Sequence, residues 1–163
     1  MKKKNKKILI TTVQVLLCIL IAQSAGIIGS AFTFSSIDSW YATLIKPSFN
    51  PPGYLFGPVW TFLYTLMGLS LFLLWKNKKK NKCLIIFFFV QLFFNALWSI
   101  LFFGLQNPFL ALIDILMLLS FIITIIIIAF KQKQKAVAYL FLPYLLWVSF
   151  ATVLNWTLWM LNK

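Results

Sequence analysis

Apolar residues run along this chain in five long stretches, covering about 8–31, 53–75, 83–105, 108–130 and 136–161. Each is about 20 residues or longer, the length at which a helix crosses the hydrocarbon layer of a bilayer. The pattern predicts an all-α membrane protein. Its form is a five-transmembrane-helix bundle with a short helical extracytoplasmic lid loop between the first and second spans. The spans and their connections use up residues 1–163, which leaves one membrane domain and no room for a soluble one.

The breaks between the stretches differ in kind. Residues 32–52 form the only long segment of loop composition, with three of the six prolines, Pro47, Pro51 and Pro52, and the acidic Asp38. Ser36 to Ile45 can form a short helix. Lys46-Pro47 ends it, because the residue before proline avoids the α region. Asn50-Pro51-Pro52 then opens the second span, with asparagine suited to the N-cap and proline to the first turn. Gln106-Asn107-Pro108 is a tight turn that starts the fourth span in the same way. The first stretch, preceded by lysines, also resembles a secretory signal with a cleavage site after Ala22-Gln23-Ser24. It is long for that role. Ala22, Gly26 and Ser30, four apart, instead suit close approach of two helices in lipid.

Charge fixes an orientation. Of 163 residues, 62% are hydrophobic and only 10% charged, and the net charge of +13 comes from fifteen lysines and no arginine. Thirteen of these lysines lie in the amino terminus and in the loops after the second and fourth spans; the other two loops carry only Lys46. Lysine-rich short loops stay on the cytoplasmic side. The amino terminus is therefore expected in the cytoplasm, with the lid and the carboxy terminus outside. Lysine clusters between apolar runs do not form the folded basic surface that a nucleic acid requires, so no nucleic-acid partner is expected.

Polar and aromatic residues converge at one depth and on inward faces. Trp60 and Tyr64 share a face in the outer half of the second span. Gln91, Asn95, Trp98 and Phe102 share a face of the third. Tyr144, Trp147, Ala151 and Asn155 share a face of the fifth. An amide facing lipid is costly, so Gln91, Asn95 and Asn155 should point inward. Each serves equally well as an interhelical hydrogen bond or as a ligand contact. Trp75, Trp156 and Trp159 lie near span ends, where interfacial aromatic belts form. Asp114, in the otherwise apolar fourth span, is a functional candidate by position, but a structural hydrogen bond is the favoured reading.

Several chemistries are excluded. With no histidine, Ser/His/Asp catalysis is impossible and the commonest metal ligand is missing; no metal site is expected. Asp38 and Asp114 are the only acidic residues, too few and too separated for paired-carboxylate catalysis. Cys18 and Cys83 fall in or beside apolar spans and suggest neither a disulfide framework nor a CxxC site. No glycine-rich phosphate loop occurs.

The residues resemble the TspO/MBR family (tryptophan-rich sensory protein/translocator protein, peripheral benzodiazepine receptor-like). The resemblance is carried by Trp40-Tyr41, Lys46-Pro47, Pro51-Pro52, Val59-Trp60 and Leu63-Tyr64. It continues through Gln91, Asn95, Trp98 and Leu101-Phe102-Phe103-Gly104, then Asp114, then Leu142-Pro143-Tyr144, Trp147 and Phe150 to Asn155. It implies a homodimeric five-helix bundle in the bacterial plasma membrane, with a pocket for porphyrins, sterol-like lipids and benzodiazepine-type ligands. It implies a role in tetrapyrrole transport or metabolism, with no required cofactor. Trp60 and Trp147 match the family's pocket tryptophans, and would be the catalytic pair of a light- or oxidant-dependent porphyrin-degrading enzyme. Asn95, Trp98 and Ala151 match pocket-lining positions; Trp40, Tyr41 and Pro47 match the lid. A small-molecule transporter is a further alternative. The cholesterol-recognition pattern of some members is absent, since Trp156, Thr157 and Met160 stand in its place.

Overall fold

The computed structural model describes residues 2–163, with side chains from residue 4 onward; those of Lys2 and Lys3, counted above in the basic amino terminus, lie outside the described residues. The elements are α1 (Lys2–Ser36), α2 (Trp40–Thr43), α3 (Phe56–Trp75), α4 (Lys82–Ser99), α5 (Pro108–Lys131) and α6 (Lys135–Leu161). A 3₁₀ turn, Gly53–Leu55, leads into α3, and a π-helical turn, Ile100–Gly104, extends α4. With these extensions, five helices are long and apolar enough to cross a membrane. No strand occurs among the described residues.

The five long helices close into a ring. α1 packs on α3, α3 on α6, α6 on α5, α5 on α4, and α4 back on α1. Small residues set the tightest crossing. A Cβ on Gly68 of α3 would come within 2.5 Å of the Cα of Ile19 on α1, so the two backbones approach as only glycine permits. Gly26 of α1 likewise leaves room for the ring of Tyr64, and Gly29 for the Ser99 hydroxyl. The outward faces carry Leu16, Leu20, Phe62, Phe93 and Leu146, all exposed as lipid-facing side chains should be.

Several element boundaries differ from the sequence expectation. α1 continues to Ser36, five residues past its expected end. The expected lid helix from Ser36 to Ile45 shrinks to the single turn α2. Asn50 does not cap the second span: its Oδ1 accepts the Tyr41 hydroxyl at 3.0 Å and its Nδ2 donates to the Pro51 carbonyl. That span instead starts through the 3₁₀ turn, closed by Leu55 N–H donating to the Pro52 carbonyl. Asn107 does cap α5, its side chain accepting Leu110 N–H at 3.0 Å, with Pro108 in the first turn. Gln106 supplies the reversal before it in the left-handed region, at φ 51°.

The two ends of the ring are filled differently. Toward the lysine-rich loops the interior is solid. Leu71, Leu74, Leu84, Phe88, Ile122, Ile125 and Phe141 are fully buried there. The buried Asn81 ties that end together, donating to the Leu74 carbonyl and accepting from Gln134 Nε2. Toward the lid the ring opens into a cavity.

Candidate functional site: a roofed aromatic cavity

The cavity has a volume of about 570 Å³ and lies among α1, α3, α4, α5 and α6 under the lid segment. Of the residues anticipated from sequence, Tyr41, Trp60, Tyr64, Asn95, Trp98, Trp147, Ala151 and Asn155 line it. Five helices and the lid thus contribute to one chamber.

Its aromatic walls are ordered by stacking. Trp60 lies over Tyr64 one turn further on, with ring centroids 5.4 Å apart and planes 26° apart. Trp98 stacks on Phe102 at 5.0 Å and 20°. Trp147 meets Phe56 edge-on at 5.9 Å and Phe150 at 5.6 Å. The Nε1–H of Trp147 is buried and has no hydrogen-bond partner among the described residues.

Beneath the chamber runs a directed chain of hydrogen bonds. Tyr64 donates to Asn95 Oδ1 at 2.6 Å; Asn95 Nδ2 donates to the Tyr144 hydroxyl at 2.9 Å; Tyr144 donates to Gln91 Oε1 at 3.0 Å. Gln91 Nε2 ends the chain on Met67 Sδ at 3.7 Å. Two corrections follow. Gln91 and Tyr144 are fully buried and do not reach the cavity. Their polar groups are consumed in the floor, which fixes the orientation of Asn95 and Tyr64 at its surface. Asn155 combines both roles open to it from sequence. It accepts the Trp98 indole N–H at 2.9 Å, donates to the Pro108 carbonyl at 2.8 Å, and lines the chamber as well.

Three further positions stand apart. Trp40 and Pro47 do not line the cavity. Trp40 packs edge-on against Phe102 at 5.4 Å and so anchors the lid, while the Pro47 carbonyl closes a lid turn by accepting Asn50 N–H. Asp114 is 4% exposed, and neither carboxyl oxygen has a partner among the described residues. The structural hydrogen bond expected for it is therefore not formed.

The lid is held by polar contacts that sequence reasoning missed. Asn162, just past α6, accepts Ile45 N–H at 2.8 Å and donates to the Ile45 carbonyl at 2.9 Å. Ser36 donates to the Phe103 carbonyl in the π turn at 2.8 Å. The Lys46 ammonium sits 4.8 Å from the Tyr41 ring centre. Burial raises the Tyr41 phenol above its ordinary range, partly offset by its bond to Asn50. Also unforeseen was the wall from α1, where Gln23, Gly26, Ile27 and Ser30 line the chamber. The small residues four apart are its only signal in the sequence, where they equally suit a packing face.

Fold and site together define a class: a five-span helical membrane protein enclosing an aromatic chamber beneath a short lid. The chain belongs to the TspO/MBR family, whose profile matches residues 17–160. It is 47% identical to the tryptophan-rich protein TspO of Archaeoglobus fulgidus over 146 residues, 88% of this chain and 94% of that one. It is 37% identical to the human translocator protein over 144 residues, 85% of each chain. With the tryptophan-rich sensory protein of Cereibacter sphaeroides it shares 37% identity over 125 residues, 77% of this chain and 78% of the other.

Proposed function

We propose that this protein is a membrane receptor or sensor whose chamber binds tetrapyrroles or similarly flat, apolar molecules. The observation that carries this reading is the cavity walled by Trp60, Trp98 and Trp147. Its volume falls within the ~300–1,000 Å³ of pockets that enclose small organic ligands. Indole faces hold a flat conjugated ring by offset stacking. The names of two relatives, a sensory protein and a translocator protein, support a receptor or sensor role.

The test is equilibrium titration of the protein in lipid nanodiscs with protoporphyrin IX, read through the porphyrin's own absorbance and emission. Replacing Trp60 and Trp147 together by phenylalanine should weaken binding by about one order of magnitude, from stacking losses of ~0.5–1.5 kcal/mol at each ring. Equal binding by the parent protein and the double variant would remove the chamber as the site. Monitoring the Soret band in light and in darkness in the same samples separates binding from porphyrin breakdown.

A further inference from the structure

The chamber reaches the surface at one side. Its rim includes Ile27 and Phe34 on α1 and Tyr54 ahead of α3, and these are 67%, 77% and 77% exposed. Between them, Gly53 and Gly57 line the same opening, and a Cβ on either would meet no atom within 4 Å. The gap therefore lies between α1 and the start of α3. Its lower edge is a polar tie, Gln23 Nε2 donating to the Thr61 carbonyl at 3.1 Å. From Gln23 to Phe34 the opening spans about 16 Å along α1, at ~1.5 Å per residue.

The upper route is obstructed by the two-point grip of Asn162 on Ile45, the Tyr41–Asn50 bond and the Ser36–Phe103 bond. The side opening is crossed by no such bond above Gln23 among the described residues. None of the described residues lining the chamber carries a charge, as suits a mouth that faces acyl chains rather than water. α1 and α3 are both long and apolar enough to cross a membrane, which sets this gap on a side of the bundle suited to lipid.

From these observations we infer that the chamber exchanges its ligand laterally with the bilayer, through the gap between α1 and α3, while the lid stays fastened. The inference rests on the binding reading above and adds a route and a ligand property. The occupant is a molecule that dissolves first in the membrane. Narrowing the gap then changes the rates of entry and exit together, and unfastening the lid changes neither.

Stopped-flow mixing of protoporphyrin IX with protein in phosphatidylcholine vesicles tests this. Gly57→Phe places a ring in the opening and should slow association and dissociation in parallel, by about tenfold. Ile27→Ala, which widens the gap, should speed both and serves if the larger side chain disturbs folding. Asn162→Ala, which releases the lid, should leave both rates within about twofold. At fixed total porphyrin, added lipid should lower the association rate as the ligand is diluted within the membrane. The inference is overturned if Asn162→Ala accelerates both rates while the two gap variants do not alter them. It is also overturned if Gly57→Phe changes dissociation alone, since that marks a contact and not a passage. Absence of porphyrin binding by the parent protein at equilibrium would instead strike the binding reading, so the two failures are distinguishable.

Discussion

Replacing Asn95 by leucine probes the hydrogen-bonded floor directly. The side chain is 4% exposed and bridges α3 to α6, accepting from Tyr64 and donating to Tyr144. Leucine has similar volume and no polar atoms, so cavity formation is minimised. Two interhelical hydrogen bonds are lost, each worth ~0.6 kcal/mol on average in a membrane protein. The two partners are left in different states. Tyr144 still donates to Gln91 Oε1. Tyr64 has no other partner among the described residues and is stranded, 5% exposed, at ~1–3 kcal/mol. The expected destabilisation is about 2–4 kcal/mol, dominated by the stranded phenol. Tyr64→Phe in the Asn95→Leu background then removes that penalty. The double variant should recover much of the loss, giving a coupling of about 1–3 kcal/mol between the sites. Reversible unfolding in mixed micelles, with sodium dodecyl sulfate raised stepwise and tryptophan emission recorded, measures all four corners of the cycle. Additive effects of the two substitutions would refute the assignment of Tyr64 and Asn95 to one connected chain.

Other expected outcomes follow from single contacts. Gly68→Ala drives a methyl against the Ile19 backbone, which cannot rotate away, so α1 and α3 must separate; the same unfolding assay should show a loss of about 1–3 kcal/mol. Asp114→Asn removes no observed hydrogen bond and takes away a buried ionisable group, so stability should be unchanged or higher at neutral pH; a large loss would reveal a partner for the carboxyl. The Tyr41 phenol is raised above its ordinary value of 10.0, so folding favours its neutral form. Its contribution is fully present below pH 10 and lost as pH rises through the higher folded-state value. In the same unfolding assay this contribution to stability should therefore decline only in strong alkali, and Tyr41→Phe should reduce that decline.

Much of the architecture is local information. Whether a stretch of about 20 residues enters a bilayer depends on the summed transfer free energy of those residues, whatever the rest of the chain does. That is why five spans can be read without knowing how they meet. The start of α5 was equally legible, because a cap bond between Asn107 and Leu110 spans three residues. Facing positions on single helices, such as Trp60 with Tyr64, follow from helix periodicity alone.

Contacts between spans are a different matter. Gln91 and Asn95 lie one turn apart on one helix face and look equivalent in sequence. One is sealed in the floor and the other lines the chamber, because Gln91 lies one turn further from the lid, where Tyr144 and Met67 close on its amide. Asn50 reads as a helix cap until Tyr41 claims its side-chain oxygen. The Asn162–Ile45 grip joins residues 117 positions apart, which no local pattern anticipates. Hydrophobicity thus decided which segments cross the membrane. The order of helices around the ring, and the close approach that Gly68 and Gly26 allow, decided which polar groups were spent on each other and where a void was left. A bilayer solvates every apolar face equally well, so only packing between the spans can choose among the ways of arranging them.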